Sequence, residues 1–288
     1  MFASEFEVPR WLEGLNDQQR EAVLHEDGPL LVIAGAGSGK TRTLASRVAR
    51  LVDDGVAPDR ILLHTFTRRA AAEMLRRAGG LVDKQTTGRV WGGTFHSIAN
   101  RLLRRHATAV GLSDGFTVLD QSDAAGLFGL LRTESGFAEA KTRFPRKETI
   151  AAVYSRAVNA QEKLTQVLEE RFPWCRDNAE ELKEMFRRYT ERKRRHNVVD
   201  FDDLLLKVLE LFEAEPGLRD AYARRFRHVL VDEYQDTNHP QYEIVRQIAG
   251  GHRNVCVVGD DDQSIYGWRG ADIRKILGFH RDFKGAKV

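Results

Sequence analysis

A glycine-rich segment near the start of the chain has the residue types that hold a nucleotide phosphate. An apolar stretch, residues 30–34, predicts a buried strand, and a loop of small residues and then helical spacing follow it. The N–H groups of such a loop and the positive end of a helix dipole both attract an anion. In order, the residues that would surround the phosphates are Ala34, Gly35, Ala36, Gly37, Ser38, Gly39, Lys40 and Thr41.

Two side chains of this segment have separate chemical uses. The ammonium of Lys40 would reach the β- and γ-phosphates of a nucleoside triphosphate, and the hydroxyl of Thr41 would bind Mg²⁺. The usual pattern for a phosphate loop has glycine where this chain has Ala34. The alternative is a glycine turn that happens to precede Lys-Thr, and the strand–loop–helix context argues against it.

A pair of acids ends a second apolar stretch. Residues 228–231 predict a buried strand, and Asp232 and Glu233 follow directly. Beside a phosphate loop, Asp232 can hold Mg²⁺ through its water shell, and Glu233 can orient and deprotonate the attacking water. Because an Asp-Glu pair is also common on protein surfaces, the position at a strand end is what favours catalysis.

A later loop combines an amide, two aromatic rings and a guanidinium. It follows an apolar strand at residues 254–260. Gln263 and Arg269 could sense the γ-phosphate, while Tyr266 and Trp268 could stack on bases at about 1–3 kcal/mol per base. Core packing of Trp268 is the alternative that the composition leaves open.

Three more candidates follow predicted strands at residues 61–67 and 90–96. The carboxyl ends of strands face the ligand crevice in a strand–helix repeat. Phe66 could therefore stack on a base, and Thr94 and His96 could contact a nucleic-acid backbone. Packing of Phe66 in the core and a structural role for His96 are the alternatives.

A glutamine upstream of the phosphate loop is a candidate for contact with the base of a nucleotide. Residues 15–23 begin like a capped helix, with Asn16 or Asp17 as the N-cap. The amide of Gln19 offers both a donor and an acceptor, so it could read the edge of an adenine. The alternative is that this stretch is only a helix start.

Composition bounds the protein class. With 288 residues, 42% hydrophobic and 30% charged, the chain is globular and holds one large or two modest domains. The net charge is +3, but residues 96–198 carry 19 Lys and Arg against 14 Asp and Glu. This basic middle fits contact with a polyanion, and an ordinary solvated surface is the alternative.

Neither the cysteine usage nor the hydropathy of the sequence indicates a secreted or membrane protein. Cys175 and Cys256 are too few and too far apart to predict a disulfide framework or a zinc site. No apolar run has the length of a membrane span, and the first ten residues carry acids rather than a basic leader. We therefore expect a cytoplasmic protein that does not enter a membrane.

The elements that must position these residues fall into two patterns. Strands alternate with helices on both sides of a middle region, residues 98–197, in which helical spacing dominates. Residues 192–195, Arg-Lys-Arg-Arg, either complement a helix C-terminus or form a phosphate-binding edge. The acids at 200–203 are interpreted as helix caps.

Taken together, these stretches resemble the UvrD/Rep/PcrA family of superfamily 1A DNA helicases. The matching stretches are LNDQQREAV, AGAGSGKTR, TFTRRAAAEM, GTFHS, DFDDLL, VDEYQDTN and GDDDQSIYGWRGA, which keep the family's order and spacing from about residue 15 to 271. The family's phosphate loop also begins with alanine. The resemblance implies an α/β fold: a RecA-like P-loop NTPase core with a parallel sheet (domain 1A, residues 1–95 with 199–288). It also implies an inserted, mainly helical DNA-binding subdomain (1B, residues 96–198).

The resemblance implies ATP and Mg²⁺ as ligands and a role for each candidate. TFTRRAAAEM departs from the family, which often has Asn-Lys where this chain has Arg-Arg, and the positive charge is kept. The implied roles are adenine contact by Gln19 and Arg42; phosphate and Mg²⁺ binding by Gly37, Gly39, Lys40 and Thr41; metal-linked acid and base for Asp232 and Glu233; γ-phosphate contact by Gln263 and Arg269; stacking on single-stranded DNA by Phe66, Tyr266 and Trp268; and contact with its backbone by Thr94 and His96.

The implied function is the motor portion of a 3′-to-5′ helicase or translocase that acts on single-stranded DNA and on junctions with duplex. In that family a second, C-terminal RecA-like domain supplies further arginines to the γ-phosphate, and this chain stops at Val288. We expect a monomeric N-terminal piece that binds nucleotide weakly, hydrolyses it slowly and does not unwind duplex.

Two other functions remain open at this point. One is the motor part of an AddA- or RecB-type helicase–nuclease. The other is a DNA-binding regulatory module without turnover. The presence of Lys40, Asp232 and Glu233 together argues against the second.

Overall fold

The computed structural model describes residues 8–137, 144–260 and 274–288. In chain order the strands are β1 (Leu30–Ile33), β2 (Ile61–Thr65), β3 (Trp91–Thr94), β4 (Thr117–Val118), β5 (Val198–Val199), β6 (His228–Val231) and β7 (Val255–Gly259). The helices are α1 (Asp17–Leu24), α2 (Lys40–Asp53), α3 (Arg68–Leu81), α4 (Lys84–Thr87), α5 (Phe95–His106), α6 (Gln121–Glu134), α7 (Lys147–Ala160), α8 (Leu164–Arg171), α9 (Ala179–Arg195), α10 (Phe201–Ala214), α11 (Pro216–Arg225), α12 (His239–Ala249) and α13 (Arg274–Asp282).

Five strands form one parallel sheet with the order β1-β7-β6-β2-β3. Because every strand runs the same way, all five carboxyl ends lie along one edge of the sheet. The prediction of an α/β fold with a parallel sheet is confirmed. The apolar runs that predicted the strands end within two residues of the observed strand ends.

Alternating residues of the central strand β6 enter two different cores. Val229 and Val231 pack with α5, α10 and α12 on one face, and Leu230 packs with α2 and α3 on the other. This is the period of two expected for a strand with both faces covered. A continuous apolar run in the sequence therefore marks the middle of the sheet, and the sheet holds its strand ends rigidly.

The middle region is mainly helical and has a core of its own. Residues of α6 to α9 form this third cluster, in which the rings of Phe128 and Tyr189 stack with centroids 4.0 Å apart. The short strands β4 and β5 pair in parallel. The segments that lead into and out of these helices therefore lie side by side. We call α6–α9 the helical layer. No helix within the described ranges is long and apolar enough to cross a membrane.

One cation of the predicted basic run is buried instead of exposed. Lys193 is 3% exposed, and its Nζ donates to Asp200 at 2.7 Å and to Asp203 at 2.6 Å. Asp200 also caps α10 through a capping box with Asp203, as the sequence predicted for these acids. Lys193 therefore joins the end of α9 to the start of α10 and is not part of a phosphate-binding edge.

Replacing Lys193 by methionine is expected to lower the free energy of unfolding by about 3–5 kcal/mol, because two carboxylates would lose their cation inside the protein. Urea unfolding followed by circular dichroism measures the change. Lys183→Met on the same helix is the control, since Lys183 is 74% exposed and should change stability by less than about 0.5 kcal/mol. Equal losses in the two variants would contradict a stabilising role for the buried pair.

Candidate functional site

The phosphate loop connects β1 to α2 with backbone that favours glycine at two positions. Gly37 has φ +73° and Gly39 has φ +88°, both in the left-handed region. A Cβ on Gly39 would also lie 2.6 Å from Nε2 of Gln19. The loop starts on the sheet, because the N–H of Ala34 donates to the carbonyl of Gly259 at 2.9 Å. The loop is therefore a fixed turn that presents the N-terminus of α2.

Lys40, the first residue of α2, folds back toward this loop. Its Nζ donates to the carbonyl of Ala34 at 3.0 Å and lies 3.5 Å from Oδ2 of Asp260. The side chains of Lys40 and Asp260 are 10% and 5% exposed. Sequence reasoning did not single out Asp260, although it follows β7 as Asp232 follows β6. The ammonium is thus held at the loop, where a phosphate oxygen could take the place of the carbonyl.

Gln19 contacts the same loop from α1. Its Nε2 donates to the carbonyl of Ser38 at 2.8 Å, and its Oε1 accepts from the N–H of Asn16 at 3.0 Å. Asn16 is the N-cap of α1, one of the two residues predicted for it. An amide has two hydrogens and two lone pairs, so one of each remains for a nucleobase. Arg42 is exposed, and its Nη2 donates to the carbonyl of Glu13 at 2.8 Å.

Asp232 is buried at the end of β6. It is 7% exposed, and its Oδ1 has no hydrogen-bond partner among the described residues. Burial and the neighbouring Glu233 carboxylate raise the pKa of Asp232 to about 6, while the charge of Lys40 acts in the opposite direction. Lys40 and Asp232 are therefore close enough to act on each other, although they are far apart in the sequence.

Glu233 has an unusual backbone for its residue type. Its φ is +50° and its ψ is +47°, a left-handed conformation that a glutamate rarely adopts. Its carboxylate accepts a hydrogen bond from Nε2 of Gln235 at 2.8 Å, and Oε1 of Gln235 accepts from the N–H of Asp260 at 3.0 Å. Gln235, which is 1% exposed, thus connects the ends of β6 and β7. The sequence pattern contained Gln235 but did not predict this bridge.

The three described candidates for nucleic-acid contact lie at the ends of β2 and β3 or just after them. Phe66 follows β2 and is 37% exposed. The hydroxyl of Thr94 caps α5 by accepting from the N–H of Ser97 at 3.2 Å, and the ring of His96 packs edge-on against Phe201 with centroids 5.8 Å apart. Four other candidates lie outside the described residues, namely Gln263, Tyr266, Trp268 and Arg269.

Strand order arranges the candidates along one edge. The phosphate loop, Asp260 and Asp232 follow β1, β7 and β6, and Phe66 and Thr94 follow β2 and β3. β6 and β2 are adjacent, and neighbouring strands are about 4.8 Å apart. Asp232 and Phe66 therefore follow neighbouring strand ends. The residues predicted to bind a nucleotide therefore lie on one half of the edge, and Phe66 and Thr94, which are predicted to contact a nucleic acid, lie on the other half.

A buried histidine lies just beneath this edge. His64 on β2 is 1% exposed, and its carbonyl accepts from the N–H of Asp232 at 2.9 Å. Its ring stacks on Phe95 with centroids 4.0 Å apart, and neither ring nitrogen has a hydrogen-bond partner in the described part of the chain. Burial lowers the pKa of His64 to about 3. The ring therefore acts as a neutral aromatic packing group at neutral pH.

His64 should make the protein sensitive to acid. Unfolding releases the ring to its ordinary pKa of about 6.5, so between pH 6.5 and about 3 the unfolded state binds one more proton. From pH 7 to pH 5 the His64 ring should by itself remove about 2 kcal/mol of stability, and His64→Leu should reduce the measured loss by that amount. Urea unfolding at both pH values measures it, with exposed His280→Leu as the control. An unchanged pH difference in His64→Leu would show that the ring is protonated in the fold.

Comparison with known proteins is consistent with this geometry. Residues 15–284 match the family model described as the UvrD/REP helicase N-terminal domain. The chain is 42% identical to the ATP-dependent DNA helicase UvrD1 of Mycobacterium leprae over 291 residues, covering 96% of this chain and 37% of that protein. It is 42% identical to the ATP-dependent DNA helicase PcrA of Leuconostoc citreum over 277 residues, covering 95% and 36%. The chain thus spans 36–37% of the length of these curated relatives.

Proposed function

Because the chain belongs to the UvrD/REP helicase family, we propose that it binds and hydrolyses ATP to drive movement along single-stranded DNA. The observation that carries this proposal is one edge of the sheet, where Lys40 begins α2 after the loop that follows β1, Asp232 and Glu233 follow β6, and Phe66 follows the adjacent β2. The 3′-to-5′ direction and action at junctions with duplex follow from the family resemblance, and the cysteine usage favours a cytoplasmic location. We also propose the division into a RecA-like unit, residues 1–95 with 199–288, and a helical DNA-binding unit, residues 96–198.

The acids and the loop fit a nucleotide carrying Mg²⁺. Oδ1 of buried Asp232, which has no hydrogen-bond partner within the described ranges, and the hydroxyl of Thr41 are hard oxygen ligands of the kind that Mg²⁺ prefers. The ion would neutralise charge on the β- and γ-phosphates. The loop from Ala34 to Gly39 would surround the phosphates with N–H groups, and Lys40 would add a positive charge. Gln19 and Arg42 would contact the adenine.

Glu233 is suited to act as the general base. It would accept a proton from the water that attacks the γ-phosphorus, and Gln235 would hold its carboxylate in position through the 2.8 Å hydrogen bond. Gln263 and Arg269 would contact the γ-phosphate. The left-handed backbone of Glu233 supports this assignment, because strained backbone is concentrated at functional sites.

The other half of the edge is suited to a single strand. Phe66 would stack on a base, together with Tyr266 and Trp268 from the segment that follows β7 in the sequence. Thr94 and His96 would contact the sugar–phosphate backbone. Because β2 is adjacent to β6, DNA bound at Phe66 would lie beside the strand that Asp232 follows. This adjacency gives a short physical connection between DNA binding and hydrolysis.

Equilibrium binding of both ligands to the 288-residue chain tests the proposal. A fluorescent ATP analogue with Mg²⁺ should bind, and an oligothymidylate should bind more tightly than a duplex of equal length. Single-turnover hydrolysis with protein in excess should convert ATP to ADP. If the chain bound neither nucleotide nor DNA, the proposed function would be wrong.

A further inference from the structure

A buried chain of hydrogen bonds joins the loop after Glu233 to the helical layer. Nδ2 of Asn238 donates to Oδ1 of Asn159 at 2.8 Å, and Nδ2 of Asn159 donates to Oδ1 of Asp202 at 2.7 Å. Asn238 and Asn159 are 7% and 6% exposed. We call these three side chains the amide relay. Buried amides with full hydrogen bonding specify one arrangement of the groups they connect.

The direction of the relay is fixed at both ends. Oδ1 of Asn238 caps α12 by accepting the N–H of Gln241 at 3.0 Å, so Nδ2 must point toward Asn159. At the other end Asp202 accepts. Burial and the nearby Asp200 raise the pKa of Asp202 to about 6, and it is a carboxylate above that pH. Neither amide can turn over without leaving a buried group without its partner.

The relay connects three parts of the molecule. Asn238 ends the segment that begins with Glu233, and this segment is stiffened where Oγ1 of Thr237 donates to the carbonyl of Tyr234 at 2.8 Å. Asn159 lies on α7, whose Ile150 and Val153 belong to the core of the helical layer. Asp202 lies on α10, which packs under the sheet. A shift of α7 relative to the sheet must therefore move Asn238 or break its hydrogen bond.

We propose that Asn159 is a positioning residue that couples DNA contact by the helical layer to the placement of Glu233. The inference rests on the proposed function, because it requires ATP and single-stranded DNA to bind the same chain. Coupling between two bound ligands is reciprocal, so a nucleotide that orders the Glu233 loop must change the affinity for DNA by the same factor that DNA changes the affinity for nucleotide. The relay carries most of this free energy.

Binding measurements on the 288-residue chain test the relay without requiring turnover. Anisotropy of a labelled oligothymidylate gives its Kd with and without the nonhydrolysable ATP analogue AMP-PNP and Mg²⁺, and the ratio of the two values is the coupling factor. The wild type should show a factor of about five or more, within the usual range for coupled sites. Asn159→Ala should bring the factor to within about twofold of one while each ligand alone keeps its affinity within about threefold.

Two further variants keep the result interpretable. Asn238→Asp retains the oxygen that caps α12 but removes the donor to Asn159, so it should lose coupling with its helix intact. Gln166→Ala removes an exposed amide of the same helical layer, whose bond to Glu170 is local, and should keep the wild-type factor. Wild-type coupling in both Asn159→Ala and Asn238→Asp, or a factor of one in the wild type, would overturn the relay. Failure of the wild type to bind either ligand would instead overturn the proposed function.

Discussion

Lys40→Ala should weaken the binding of ATP by about 100-fold or more, because one charged contact to phosphate contributes about 3 kcal/mol. The ammonium lies at the start of α2, 3.0 Å from the carbonyl of Ala34, and no other cation of the loop is so placed among the described residues. Titration of a fluorescent ATP analogue with Mg²⁺ measures the change. Hydrolysis should fall at least in proportion.

The control must separate lost binding from lost folding. Lys40 also faces Asp260, so thermal unfolding of the variant has to be compared with that of the wild type. Lys284→Ala, which removes an exposed cation far along the chain, should leave ATP affinity unchanged. If Lys40→Ala bound ATP like the wild type, the phosphate loop would not be the nucleotide site. If the chain were instead a DNA-binding regulatory module without turnover, the Lys40→Ala variant would keep its DNA-related activity.

Glu233→Gln should lower single-turnover hydrolysis by about 10²–10⁴-fold, the usual contribution of a positioned general base. The amide has the size of the carboxylate but cannot accept the proton of the attacking water. ATP affinity should stay within about threefold of the wild type, because Glu233 is not expected to contact phosphate in the ground state. Rapid quench with protein in excess gives the rate constant, and analogue titration gives the affinity.

Glu213→Gln on the exposed side of α10 is the matched control and should hydrolyse ATP at the wild-type rate. A Glu233→Gln protein that hydrolysed ATP at that rate would assign the base to another residue. A protein that lost binding together with turnover would place Glu233 against the nucleotide instead of the water.

The sequence predicted the parallel sheet, and with it the strand ends that several described candidates follow, because apolar runs are local patterns. Apolar runs predicted the five strands. Residues that directly follow such runs had to meet at one edge of a parallel sheet. Lys40 was predicted from the loop and helix that frame it. The roles of Asp232 and Glu233 stay predictions, but their location at the end of β6 is observed.

Contacts between segments far apart in the chain could not be predicted in the same way. Gln235 reaches the N–H of Asp260, 25 positions away, and Asn238 reaches Asn159, 79 positions away. No periodicity encodes such pairs, since they depend on which strands and helices become neighbours. Lys193 is the same case: in the sequence it belongs to a basic run, and only the return of α10 surrounds it with carboxylates.

The left-handed backbone at Glu233 means that catalysis and thermal stability favour different residues at this position. Glycine would adopt that conformation without strain, so a chain selected only for resistance to heat should drift toward glycine at this position. A chain selected for turnover must keep the carboxylate and the strained backbone conformation that comes with it. Thermostable variants obtained by screening this protein should therefore be checked at position 233 before their lost activity is attributed to rigidity elsewhere.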